Sequence, residues 1–149
     1  MYQRIVVALD GSETAEQILP HVETLASRFG AAVTLVRATS LVEPALAAEA
    51  GVGSGFADPT PLLEAQRSEA RKYLDQVAER LRSVGISVTC DQPESRPAEA
   101  ILDAVQRVNA DLLALTTHGR SGLGRLVFGS VADEVLHKAA CAVLLVRAS

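Results

Sequence analysis

Apolar residues along the chain gather into five short runs separated by stretches of helical periodicity. Arg4 to Asp10 (RIVVALD), Ala31 to Ala38 (AAVTLVRA), Leu112 to Thr116 (LLALT) and Ala142 to Val146 (AVLLV) are almost continuously apolar, the pattern of strands covered on both faces. Ile86 to Cys90 (ISVTC) alternates, which predicts an edge or half-exposed strand. Between the runs, four helices are predicted. The first spans Glu13 to Phe29 and stops at Gly30; Pro20 falls inside it, where a missing backbone donor predicts a kink or an unpaired carbonyl. The second, Leu62 to Val84, turns Leu63, Ala70, Tyr73, Leu74, Val77, Ala78, Leu81 and Val84 inward and its charged residues outward as i,i+4 pairs. The third starts at Pro97, a residue suited to a first turn, and buries Ile101, Leu102, Val105 and Val108 before ending near Ala110. The last begins at Ser130 as N-cap, with Asp133 three residues on and Val131, Val135, Leu136 and Ala139 at helical spacing.

Strands alternating with helices imply an α/β fold with a parallel sheet and right-handed crossovers. The expected architecture is a single-domain open doubly wound five-stranded sheet, residues 1–149, in the order 3-2-1-4-5 with helices on both faces. In that order the winding reverses between strands 1 and 4, and ligands bind at the carboxyl ends of the strands at such a switch point. Ala8, Leu9 and Asp10 arrive there from strand 1, and Leu115 and Thr116 from strand 4.

The connection after strand 4, residues 117–129, is longer than the 2 to 6 residues usual in α/β units and carries Gly119, Gly122, Gly124 and Gly129. Glycines let backbone N–H groups converge, and the last one stands directly before a helix N-terminus, whose orphan donors and dipole favour an anion. Between Leu112 and Ala132 there is no acidic residue, while His118, Arg120 and Arg125 are present in a chain of net charge -4. The local sign runs against the global one and points to a phosphate.

Composition narrows the classes. Hydrophobic residues make up 48% of the 149 residues and aromatics only 3%, so the core is aliphatic and there is no stacking platform for bases. No basic stripe is present, which argues against nucleic acid and anionic membrane as partners. No apolar run approaches a membrane span and no charged-then-apolar leader precedes strand 1, so a cytoplasmic location is expected. Cys90 and Cys141 lack metal or redox spacing and read as small buried hydrophobes in strands. Residues 39–61 are rich in Ala, Gly and Pro and are expected to be mobile. Gly51, Gly53 and Gly55 do not make a nucleophile elbow, because Ser54 is flanked directly by glycines and no helix follows at once.

An apolar strand end beside an anion cradle suits a nucleotide, with base and ribose near strands 1 and 2 and phosphates in the loop. Yet G-x-x-x-x-G-K-[ST] is absent, and the turn after strand 1 is DGSET in place of G-x-G-x-x-G. A P-loop NTPase and a dinucleotide dehydrogenase are therefore disfavoured. With its opening IVVALDGSETA, its VTLVRA and above all DLLALTTHGRSGLGRLVFGSVADEVLHKAACAVLLVR, the chain resembles a universal stress protein domain over nearly its whole length. That resemblance implies a Rossmann-like fold of the adenine nucleotide alpha hydrolase-like type and a homodimer whose last strands, here Ala142 to Val146, pair across a two-fold.

The family's nucleotide-binding branch carries Gly, two residues, Gly, nine residues, then Gly followed by Ser or Thr. Gly119, Gly129 and Ser130 fit, while Thr116 replaces the first glycine. Carried over by position, the resemblance implies an ATP site with Mg²⁺ held through the phosphates. Asp10, with Ala8 and Leu9, would meet adenine and ribose, and Ala38 would line the base pocket. Leu115 and Thr116 would stand beside the ribose, and Gly119, Arg120, Gly129, Ser130, Val131 and Ala132 would hold the phosphates. If the missing glycine served a positive φ, threonine is strained by about 1 kcal/mol or more; if it served closeness, the hydroxyl is accommodated or bonds the ligand.

No base and nucleophile pair can be named. Asp10 can assist a phosphate-bound Mg²⁺ or cap the turn at Gly11 and Ser12, His118 can touch a phosphate or serve as a surface or turn residue, and His21 and His137 lie on predicted helices without partners at metal spacing. The expected function is an ATP-binding stress-response module in which nucleotide occupancy orders the 117–129 loop and alters a surface read by a signalling partner. The alternative is a nucleotide-independent dimer acting through protein contacts, and a slow ATPase ranks last.

Overall fold

The computed structural model describes residues 1–39, 58, 60–117 and 129–149. In chain order these form β1 (Arg4–Ala8), a 3-10 turn (Ala15–Ile18), α1 (Leu19–Phe29), β2 (Ala32–Val36), α2 (Thr60–Ser83), β3 (Val88–Asp91), α3 (Pro97–Arg107), β4 (Leu112–Thr117), α4 (Ser130–Lys138) and β5 (Ala142–Arg147). The five strands make one sheet in the order β3-β2-β1-β4-β5. Every neighbouring pair is parallel, with Val6 opposite both Thr34 and Leu113, and Thr116 opposite Val146.

Continuous apolar strands are explained by two cores. Ile5 and Val7 of β1, Val33 and Leu35 of β2, and Leu112 and Ala114 of β4 pack with Leu19, Val22 and Ala26 of α1 and Leu74, Val77 and Leu81 of α2. The alternate residues Val6, Val36, Leu113 and Leu115 pack on the other face with Ile101, Ala104 and Val105 of α3 and Ala132 and Val135 of α4. A period of two thus sends neighbouring residues into different cores, and beyond Arg4 at the start of β1 the polar residues of the inner strands are threonines, with Thr34 of β2 sharing a hydroxyl hydrogen bond with Thr89 of β3 at 3.1 Å. The sheet is tied at its base by Asp111, whose carboxylate accepts from the backbone N–H groups of Gln3 at 2.9 Å and Arg4 at 3.1 Å. Beside it, the Arg4 Nε–H donates to the Asn109 carbonyl at 2.8 Å.

The alternating strand predicted at Ile86 to Cys90 lies at Val88–Asp91 and does occupy a sheet edge. Three local expectations change. The predicted first helix is divided into the 3-10 turn and α1, which places Pro20 in the first turn of α1. A first-turn residue needs no intrahelical donor, so proline is tolerated there, and the irregularity expected of this helix takes the form of the 3-10 turn before it. The second helix begins at Thr60 rather than Leu62. Asp58 accepts from the Thr60 N–H at 3.0 Å and its hydroxyl at 2.6 Å, and these bonds hold the Asp58 carboxyl below its ordinary range. Thr60 and Pro61 are accordingly helical, while the remainder of the stretch expected to be mobile, residues 40–57 and 59 with Ser54 among them, lies outside the described residues.

The third change concerns the last helix. Ser130 is its first residue and Gly129 the N-cap, with no side-chain cap, so the expected Ser130 cap is corrected. Cys90 sits in β3, Cys141 immediately precedes β5, and both are half-buried free thiols. Burial pushes both thiols up from their ordinary range. Among the described residues, no helix is long and apolar enough to cross a membrane.

Candidate functional site

The carboxyl ends of β1 and β4 stand side by side because the sheet reverses its winding between them. Each strand leaves the sheet toward a different face, and the gap between the two departures is a cavity of about 290 Å³. Its floor and near wall are Ala8, Leu9 and Asp10 from β1 with Leu115 and Thr116 from β4, and its far wall is Gly129, Ser130, Val131 and Ala132 at the start of α4. Ala8, Leu9, Asp10, Leu115, Thr116, Gly129 and Ser130 are the residues that strand topology and the glycine loop predict here, and Val131 and Ala132 are those that the family resemblance implies. Four further lining residues have no local signal: Thr14 and Ala15 at the start of the 3-10 turn, and Pro97 and Ile101 at the start of α3. Pro97 and Ile101 read locally as a helix start and a core residue, and only the crossover of α3 from β3 to β4 brings them to this wall.

Ala38 packs half-buried against the core on the α3 and α4 face and does not line the cavity. Gly119 and Arg120, with His118, lie outside the described residues.

Asp10 has the turn-capping geometry. Its Oδ1 accepts from the Ser12 N–H at 2.9 Å and the Ser12 hydroxyl at 2.6 Å, and Ser12 Oγ in turn accepts from the Ala15 N–H at 3.0 Å. The chain thereby passes from β1 into the 3-10 turn through a carboxylate and a hydroxyl rather than through backbone bonds alone. Gly11, at φ +87°, completes this turn, and a Cβ on it would lie 2.7 Å from the Arg37 guanidinium carbon. Arg37 is held there on two sides. It donates to both carboxylate oxygens of Glu69, at 3.2 and 3.1 Å, and lies 5.1 Å from the centre of the Tyr73 ring. Burial first, and the nearby Glu16 carboxylate second, push the Tyr73 hydroxyl well above the usual phenol range.

The α4 wall has the opposite character. Gly129 holds φ 78° and ψ 151°, and the first helical bond runs from the Asp133 N–H to the Gly129 carbonyl at 3.0 Å. With no side chain capping the helix, the first-turn N–H groups at the cavity wall have the direction and partial charge that suit an anion. An ion-pair network joins this helix to α3 nearby: Arg96 reaches Glu99 at 3.3 Å and Glu134 at 3.4 Å, and Lys138 reaches Glu134 at 2.8 Å. The Lys138 hydrogen bond is the main reason the Glu134 carboxyl stands below its ordinary range.

Thr116 is half-buried within β4, and its hydroxyl donates to the Ala15 carbonyl at 3.2 Å. Asn109 is the one non-glycine with a positive φ among the described residues, so Thr116 carries no left-handed strain. Of the two consequences foreseen for a threonine at this position, strain is removed and accommodation of the hydroxyl remains.

Among the described residues there is no group of three or more His, Cys, Asp or Glu side chains able to hold a metal. His137 Nδ1 lies 2.8 Å from the Asp133 carbonyl of its own helix.

A doubly wound parallel sheet with an apolar cavity at its switch point and a helix N-terminus without a side-chain cap on the rim defines a protein of the Rossmann-like α/β class of folds. The model of the universal stress protein family matches residues 1–147, and the chain belongs to that family. The universal stress protein MJ0531 of Methanocaldococcus jannaschii is 30% identical over 147 residues, covering 99% of this chain and 83% of the relative. The solved structure of MJ0577, a universal stress protein of the same organism, superposes with a TM-score of 0.81 at 26% identity, covering 100% of this chain and 98% of the other. The same fold, at 23% identity and a TM-score of 0.66 over 97% of each chain, is found in a universal stress protein of Archaeoglobus fulgidus solved in complex with dAMP.

Proposed function

We propose that this stress-response protein is a binding and signalling module that holds an adenine nucleotide at the β1/β4 switch point, with ATP and Mg²⁺ as its ligand. The observation that carries the reading is the asymmetry of the cavity. Aliphatic walls from Leu9, Ile101 and Leu115 suit a base, the Asp10 and Thr116 oxygens lie at the strand ends, and backbone donors without a side-chain cap start α4. The A. fulgidus relative's complex with dAMP agrees with this class of ligand. Mg²⁺ fits as a companion of the phosphates, because it is commonly bound through one or two carboxylates and substrate oxygens rather than through a protein cage. Asp10 is the carboxylate at the cavity, and when bound the ion would supply charge neutralisation for the triphosphate. In this reading the ligand acts by occupancy rather than by turnover, and the protein works in the cytoplasm.

Titration calorimetry of nucleotide-stripped protein tests this directly. ATP with Mg²⁺ is expected to bind with micromolar affinity, about -8 kcal/mol, and more tightly than AMP. Absence of heat at millimolar ATP, with an unmoved melting temperature, removes the nucleotide reading and leaves the protein-contact alternative.

The sheet edge at β5 supports the second half of the proposal, a homodimer. Val143, Leu144, Leu145 and Val146 are all only half-buried in one chain, and an apolar edge strand of this kind is an aggregation hazard unless it is paired or covered. Sedimentation velocity at micromolar concentration is expected to show a species of twice the 15.7 kDa chain mass; a single monomeric boundary under the same conditions overturns the pairing.

A further inference from the structure

A threonine hydroxyl has one proton to give and two lone pairs to offer. In Thr116 the proton is committed: it points at the Ala15 carbonyl, 3.2 Å away, across the join between β4 and the 3-10 turn. Both residues line the cavity. While that bond is kept, Thr116 presents lone pairs to a ligand. An anionic phosphate oxygen placed there would have to break the bond to gain a donor, whereas a ligand hydroxyl completes the oxygen's coordination with the bond intact. The start of α4 offers backbone N–H donors with no side-chain cap hydrogen bond. The two ends of the cavity thus favour opposite ligand chemistry, a neutral donor near β4 and an anion near α4. A nucleoside phosphate satisfies both when its sugar hydroxyls face Thr116 and its phosphates face α4.

We propose that Thr116 is a specificity-determining residue that reads a ribose hydroxyl through its lone pair, with the Ala15 carbonyl fixing the direction of its own proton. The inference rests on the nucleotide reading above and deepens it. A glycine at this place offers no such acceptor, so the hydroxyl adds a selectivity for the sugar that the bare backbone lacks. It also orders the pocket edge before ligand arrives, because the clasp joins two segments 101 residues apart in the chain. Asp10 stands on the β1 side of the same cavity with its Oδ1 accepting two hydrogen bonds from Ser12, and the Thr116→Val comparison separates the contribution of its carboxylate from that of the Thr116 hydroxyl.

The test compares ATP with 2′-deoxy-ATP and 3′-deoxy-ATP by calorimetry on the wild-type chain, Thr116→Val and Thr116→Ser. Wild type is expected to bind ATP about three- to tenfold more tightly than one of the two deoxy analogues, the range of one net hydrogen bond. Thr116→Val should bring that ratio to one, and Thr116→Ser should restore it. A ratio unchanged in Thr116→Val, or absent in wild type, overturns the sugar assignment even though nucleotide binds. A wild-type chain that binds none of the three nucleotides overturns the site as a whole, so the two failures are distinguished. Loss of the clasp also lowers the melting temperature of the free protein, but a purely structural role leaves the sugar ratio untouched.

Discussion

Leu113→Ala is expected to lower the free energy of unfolding by about 2 to 5 kcal/mol, the range for deleting a large aliphatic side chain from a closed core. Leu113 is fully buried in β4, which has a strand on each side, opposite Val6 of β1 and Val143 of β5. Its side chain enters the core shared with α3 and α4, where Leu115, Ala104 and Val135 are also buried. Strands held by hydrogen bonds on both edges cannot move inward to refill the space, so the cavity term adds to the transfer term. Typical domain stability is about 5 to 15 kcal/mol, so the change is a large share of the total. Urea unfolding followed by circular dichroism measures it. A loss below about 1 kcal/mol at an unchanged m-value would mean that the site collapses freely and is not the rigid centre described here.

Gly129→Ala is expected to reduce ATP affinity at least tenfold, a larger effect than its modest volume suggests. At φ 78° and ψ 151° Gly129 occupies a region that is essentially restricted to glycine, and forcing another residue there costs about 1 to 3 kcal/mol. Among the described residues, a Cβ would meet nothing within 4 Å, so space there is not the obstacle. That cost lies in the backbone, and the chain relieves it by rotating Gly129 away from the conformation that starts α4. Rotation redirects the first-turn N–H groups, on which the proposed phosphate contact depends. Calorimetry with ATP, paired with a melting curve of the free variant, separates the outcomes. Full affinity together with unchanged stability would show that neither the backbone geometry nor the donors it aims are needed for binding.

Periodicity carried the fold a long way. Continuous apolar runs at β1, β2, β4 and β5 announced strands with helices on both faces, and the alternating ISVTC segment announced an edge. Those patterns are local consequences of which faces are covered. The parallel order and its switch point followed from the alternation of strands and helices, and with them the placement of Ala8, Leu9, Asp10, Leu115 and Thr116 at one location. Two departures were also local. Pro20 falls in a first turn because a 3-10 turn moved the helix start to meet it, and Ser130 lost the cap position to Gly129 by one residue. Helix termini are set by small differences in backbone energy that residue type only weakly signals.

By itself, then, the amino-acid order determined the strands, the helices, the family, and the two strand ends and helix start that border the cavity, because each depends on short-range spacing. Folding in three dimensions decided the remainder. Pro97 and Ile101 became cavity wall through the crossover from β3 to β4, and Arg37 came to lie against Gly11 through the pairing of β1 with β2. The Thr116 hydroxyl was turned into an acceptor by the Ala15 carbonyl, a partner 101 residues distant. A side chain's type states which hydrogen bonds it can make, but which of them remains available to a ligand depends on neighbours that the topology supplies.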